Sequence, residues 1–151
     1  MPVEGDEELK RTNEIKMAIP LLDPIEIQGK DITADALLTQ RKLADYLCLD
    51  RKAHYHFTVK GHQATLLRDI ELYFQDRKKP DFIAYDPPDH GRIETRKIWT
   101  TTALNLYLNF PHVQQAFLIE RESVEKKSGQ YSHDLAYGIT SRKPHDATPQ
   151  Q

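Results

Sequence analysis

The chain has 151 residues, of which 38% are hydrophobic and 29% are charged, as in one ordinary globular domain. Its 21 basic and 23 acidic residues give a formal net charge of −2, which excludes the global positive field of many nucleic-acid binders. The single cysteine, Cys48, excludes an internal disulfide and a multi-cysteine zinc site. The N-terminus lacks the basic and apolar regions of a signal peptide, and no run approaches the roughly 18 apolar residues of a membrane span. We therefore expect a cytoplasmic protein with no membrane partner.

The first third of the chain predicts a helix, a strand and a second helix. Residues 1–12 are polar and acidic and predict a flexible arm. Residues 13–23 carry apolar side chains at helical intervals, and Pro20 must kink or start that helix. Residues 25–35 predict extended chain, and residues 37–49 predict a helix.

The next two segments repeat this alternation. Residues 54–60 alternate and are rich in aromatic and β-branched side chains, which predicts a strand. Residues 62–79 place their apolar side chains on one stripe, which predicts an amphipathic helix. Sequential strands joined by helices favour parallel pairing with right-handed crossovers.

The second half of the chain predicts mainly strands. Residues 79–92 contain three of the nine prolines and predict a loop. Residues 93–101 predict a half-buried strand, and residues 102–111 predict one or two helical turns. Residues 115–123 and 131–140 predict the two strands of a hairpin that extends or decorates the sheet.

Several motifs then occur in a fixed order. They are "NEI" at 13–15, "DALLTQRKLADYL" at 35–47, "HYHFTVKGHQATLLRDIELYF" at 54–74, "DHGRIETRKIWTT" at 89–101, and "FLIERE" followed by "YGITS". Together they resemble the H-repeat-associated transposases of bacterial insertion sequences, from about residue 13 to about residue 141. The resemblance implies a DDE-type enzyme of metal-dependent DNA cleavage and strand transfer. It also implies an α/β fold: a partial RNase H-like mixed sheet with flanking helices over residues 13–141, followed within it by a β-rich hairpin region, with a disordered tail at 142–151.

The resemblance assigns one catalytic acid. In the family, an Asp-Ala pair followed by Thr-Gln carries the second acid of the triad, and Asp35, Ala36, Thr39 and Gln40 stand in those places. Asp35 is therefore the candidate catalytic residue and the candidate Mg²⁺ ligand. The family usually has glycine where Leu38 stands, which predicts a different turn after Asp35.

Two further family patterns mark candidate DNA contacts. The Lys-Gly-Asn-Gln pattern corresponds to residues 60–63, and the His-Gly-Arg-x-Glu-x-Arg pattern to residues 90–96. The candidate DNA-binding residues are Lys60, His90, Arg92 and Arg96. The implied partners are insertion-sequence DNA ends, a second copy of the chain, or an intact transposase. A stripe of Arg92, Glu94 and Arg96 can contact phosphates, and it can equally form a solvated salt-bridge ladder.

The other two acids of the triad have no counterpart here. Relatives carry the first in an Asp-Gly-Lys strand upstream and the third, a glutamate, on a helix downstream. Phosphodiester chemistry uses two Mg²⁺ ions about 4 Å apart, held by several carboxylates. We therefore expect a transposase fragment that binds Mg²⁺ weakly or not at all and is inactive alone.

Simpler roles for the same residues stay open. Asp35 fits the N-cap of the helix that follows it. His54 and His56 share one strand face, a spacing that can hold zinc, although a hydrogen-bonded pair is commoner. Trp99 and Phe117 are most simply core residues.

Two alternatives to the enzyme fragment differ in what they predict. A non-catalytic module that binds DNA or another transposase predicts one continuous basic face over residues 51–69 and 90–97. An unrelated α+β protein predicts that residues 31–35 and 54–60 are not adjacent strands.

Overall fold

A computed structural model describes residues 17–34, 40–85 and 91–144, apart from the side chain of His62. These residues form a six-stranded sheet in the order β1-β2-β6-β5-β4-β3. The strands are β1 Asp31–Ala34, β2 His54–Val59, β3 Phe82–Tyr85, β4 Arg92–Thr101, β5 Gln115–Glu125 and β6 Tyr131–Thr140. One pair is parallel and the others are antiparallel, which confirms an α/β protein with a mixed sheet.

Three helices accompany the sheet in the described part of the chain. The helix α1 covers residues 17–22 and contains Pro20. The helix α2, Arg41–Asp45, continues into the π-helical turn Tyr46–Asp50. The helix α3, Ala64–Phe74, follows the 3₁₀ turn Gly61–Gln63. Its buried side chains Leu66, Ile70 and Phe74 recur every four residues, the spacing of one helix face.

The parallel pair is β1 with β2. Asp31 pairs with His54 and Ala34 with Phe57, and the connection between the strands runs through α2. The predicted adjacency is confirmed for the described strand residues, which counts against the unrelated α+β protein.

The hairpin of β5 and β6 extends the same sheet. Its pairing runs from Gln115 with Thr140 to Val124 with Tyr131. The strand β6 also pairs with β2. The predicted hairpin is confirmed, and it joins the β-rich half of the chain to the α/β half.

The core lies against one face of this sheet, which we call the core face. Tyr55, Phe57, Leu118 and Ile139 lie on it and are fully buried. The rings of Tyr55 and Phe57 stack with centroids 4.3 Å apart, and the Phe110 ring meets both edge-on. Burial of each such side chain contributes about 1.5–3 kcal/mol. We call the opposite face of the sheet the outer face, and Phe117 lies on it. Of the two predicted core residues, Trp99 is buried, whereas Phe117 is half-buried.

One predicted loop contains a strand. Within residues 79–92, β3 pairs with β4, with Phe82 opposite Ile98. The loop prediction was wrong there because the prolines Pro80 and Pro87 flank the apolar run instead of interrupting it, and an edge strand tolerates such neighbours. Residues 102–110 form hydrogen-bonded turns, including a bond of 2.9 Å from the Leu108 amide to the Leu104 carbonyl.

Candidate functional site

The predicted catalytic acid comes directly after β1, the first strand of the parallel pair. Asp35 follows Ala34, the last residue of β1. Asp35 and His90 both lie outside the described residues, so their roles remain predictions. Because β1 and β2 are parallel, their carboxyl ends point the same way, and open α/β sheets bind ligands beyond such ends.

The pairing of β2 with β6 shows where that end lies. Val59 pairs with Tyr137, and β6 runs antiparallel to β2. The chain beyond Val59 therefore heads toward Tyr131 and the hairpin turn. We call residues 60, 91–97 and 119–135 the distal end of the sheet.

The described DNA-binding candidates all lie at the distal end. Lys60 is exposed and follows β2 directly, and Arg92 is exposed near the hairpin turn. Arg96 is half-buried and directly opposite Arg121 on β5. Strand alternation places Arg92 and Arg96 on the outer face, and like charges directly opposite each other are unfavourable by themselves. On this face Arg92 lies opposite Glu125 and Arg121 lies opposite Asp134, so acidic side chains accompany the arginines.

Over the described residues of 51–69 and 90–97, the basic side chains do not form the one continuous face that a non-catalytic binding module predicts. Arg51 donates to the Leu22 carbonyl at 2.8 Å and to the Tyr46 hydroxyl at 2.7 Å, so it links the end of α1 to the π-helical turn after α2. Lys97 lies on the core face, 4.0 Å from a Glu122 oxygen. The basic residues of the two segments are thus divided between different parts of the molecule.

The histidine pair of β2 has separate partners. His56 Nε2 lies 3.1 Å from an Asp31 oxygen, and His54 Nδ1 lies 3.3 Å from Ser141 Oγ. Arg142, the first residue of the predicted tail, donates to Asp31 at 2.7 Å. Partial burial alone would raise the pKa of Asp31, but the hydrogen bonds from Arg142 and His56 outweigh it, so that the pKa lies below its usual value. This network ties β1 to the end of β6 and favours the hydrogen-bonded interpretation over a zinc pair.

Three further chemical groups, which were not predicted from the sequence, meet on the core face at the distal end. Glu122 lies directly opposite His133, and Glu120 precedes Glu122 by two residues on the same face. His133 Nε2 lies 2.9 Å and Arg77 Nη2 3.3 Å from a Glu120 oxygen. The hydrogen bond from His133, with the charges of Arg77 and Lys97, outweighs burial and lowers the pKa of Glu120. The alternating acids of "FLIERE" in a predicted hairpin were the signal for this cluster.

Within the described ranges, no helix combines the length and the apolar character needed to cross a membrane.

Comparison with known proteins places these features in context. No protein-family model matches the chain. The chain is 28% identical over 145 residues to an "Uncharacterized protein in dhlA 3'region" of Xanthobacter autotrophicus, an alignment that covers 92% of this chain and 47% of that protein. Over 91 residues, 58% of this chain, it is 35% identical to the "H repeat-associated putative transposase YbfD" of Escherichia coli (strain K12), covering 36% of that protein.

A second protein of the same kind gives a similar match. The chain is 33% identical over 91 residues to the "H repeat-associated putative transposase YhhI" of Escherichia coli (strain K12), covering 24% of it. The chain spans less than half the length of these curated relatives. These partial similarities support a relationship to the H repeat-associated transposases.

Proposed function

We propose that the chain is part of the RNase H-like catalytic domain of a DDE-type transposase and that its substrate is DNA. The observation that carries this proposal is the parallel β1–α2–β2 unit with Asp35 directly after β1. Ligands of open α/β sheets bind beyond the carboxyl ends of such strands, and Asp35 is the next residue in the sequence after β1. The partial similarity to H repeat-associated transposases supports the same function.

The metal requirement of such an enzyme is met only in part. A carboxylate such as that of Asp35 is the hard oxygen ligand that Mg²⁺ prefers. A pair of Mg²⁺ ions needs several such carboxylates, and the resemblance assigns one among these 151 residues. We therefore propose that this chain alone binds DNA without cleaving it, through a few local basic residues at the distal end and not through a continuous basic face.

The distal end supplies the groups that would contact DNA. Lys60, Arg92 and Arg96 lie there, and Arg121 faces Arg96 across the strand pair. A guanidinium group suits phosphate oxygens because its donors form a planar fork. Such contacts position DNA without reading its sequence.

Fluorescence anisotropy with a labelled DNA duplex tests this proposal. The combined variant Lys60→Gln, Arg92→Gln, Arg96→Gln removes three positive charges from the distal end, and Lys30→Gln, Lys42→Gln, Lys52→Gln removes three exposed charges elsewhere. Each lost phosphate contact should reduce the slope of log K against log salt by about 0.9. We expect that reduction in the first variant and an unchanged slope in the second. Equal effects in both variants, or no binding by the unmodified chain, would contradict the proposal.

A module that binds another transposase chain is the second candidate, because apolar side chains are exposed at the distal end. On the core face, one row of cross-strand partners is exposed and consists of Ile93, Val124 and Tyr131. Exposed apolar patches of this kind mark interaction surfaces. Sedimentation of the chain at increasing concentration should then show self-association that Ile93→Ser with Tyr131→Ser abolishes. A monomer at every concentration would exclude self-association through this row.

A further inference from the structure

We propose that Glu120, Glu122 and His133 form a binding site for a divalent metal ion, with Zn²⁺ as the expected ion. The site lies on β5 and β6 and uses no residue of the proposed DNA contacts or Asp35. It is therefore independent of the proposed function.

The backbone already brings the three ligands together. Glu122 and His133 are direct cross-strand partners, and Glu120 projects from the same face two residues earlier. The donor atoms all lie within 4.8 Å of one another, and His133 Nε2 lies 2.9 Å from Glu120 Oε2. Bonds of about 2.0–2.2 Å in tetrahedral geometry place two ligand atoms ~3.4 Å apart. Small rotations of the side chains therefore suffice to form the site.

The donor set favours zinc. Imidazole nitrogen and carboxylate oxygen are both ligands of Zn²⁺, and three protein ligands leave a fourth position open to water. The side chain of Glu120 is 13% exposed, whereas those of Glu122 and His133 are 37% and 39% exposed. Glu120 is the anchored ligand, and the other two border solvent from which an ion can enter.

The two cations beside the carboxylates can give way to a metal. Arg77 pairs with Glu120, but its guanidinium also lies 5.1 Å from the centre of the Trp99 ring and 3.4 Å from the Phe74 carbonyl. Lys97 is 36% exposed and 4.0 Å from Glu122, so its ammonium group can turn into water. Neither cation is left buried without a partner, which is the costly outcome of breaking a buried ion pair.

Calorimetric titration of Zn²⁺ into the chelator-treated full chain tests the site. We expect saturable binding of one equivalent, and a tetrahedral absorption spectrum when Co²⁺ replaces Zn²⁺. The variants His133→Gln and Glu122→Gln should each weaken binding by more than the roughly 10–100-fold that loss of an outer-shell partner costs. The use of two variants keeps the test valid if one of them does not fold. Thermal unfolding without metal shows whether each variant is folded.

Two controls locate the ion. Glu94→Gln changes a glutamate on the outer face, and His56→Gln changes the alternative histidine site; both should bind Zn²⁺ like the unmodified chain. Absence of saturable binding, unchanged affinity in His133→Gln, or loss of binding in His56→Gln would overturn the proposal. Failure of DNA binding alone would leave it intact, because the two readouts are separate.

Discussion

The two ends of the hairpin strands differ sharply in burial. Near the core, Leu118 and Ile139 are fully buried, while Leu135 and Tyr131, on the same face toward the turn, are 40% and 57% exposed. Continuous β ladders connect these regions. A single pair of strands therefore anchors itself in the core at one end and presents side chains to solvent at the other. Stability should depend on the core end and ligand binding on the distal end.

The largest expected effect comes from the core end. Phe57→Ala removes a fully buried ring that stacks on Tyr55, and we expect the free energy of unfolding to fall by about 3–5 kcal/mol. Val124→Ala, at a partly exposed distal position, should cost less than about 1 kcal/mol. Chemical denaturation of both variants measures the difference, and equal losses would break the distinction between the two ends.

A smaller effect is expected from a glycine in β6. A Cβ at Gly138 would lie 2.2 Å from Phe117 Cζ and 2.7 Å from the Phe57 carbonyl oxygen. The backbone oxygen cannot swing aside, so Gly138→Ala should destabilise the protein by about 1–3 kcal/mol, the usual cost of overpacking. Gly61→Ala is the matched control because its Cβ would meet no atom within 4 Å. Equal melting temperatures of the two variants in thermal unfolding would contradict this account of Gly138.

These positions also show what the sequence could and could not predict. The hairpin and the parallel pair followed from alternation and from the order of elements, because burial of one face dictates a period of two. Pairing of β6 with β2 did not follow, since it depends on contacts between residues some 80 positions apart, such as His56 with Thr140. The strand β3 was missed because the prolines on either side of it in the sequence, Pro80 and Pro87, suggested a loop.

The candidate site was predictable to a similar degree. Lys60, Arg92 and Arg96 were identified from family patterns, and their common location at the distal end required the register of the sheet. The cluster of Glu120 and His133 needed the exact pairing of β5 with β6, because a shift by one residue would move His133 to the outer face.

The smallest expected effect concerns pH. Since the folded pKa of Asp31 lies below its usual value, its ionised form stabilises the fold above the unfolded pKa, and that contribution is lost as pH falls through the folded pKa. The stability difference between the unmodified chain and Asp31→Asn should be constant near neutral pH and shrink below about pH 4. Asp50→Asn, at an exposed position, is the control. A difference that grows as pH falls would contradict the arrangement of Arg142 and His56 around Asp31.

Hydrogen exchange of the backbone amides, with and without a DNA duplex, tests the central claim most directly. If the distal end binds DNA and the core end only supports it, exchange should slow at residues 91–97 and 119–135 and stay unchanged at residues 54–58. Slower exchange confined to residues 54–58, or no change anywhere in the presence of DNA, would contradict the account.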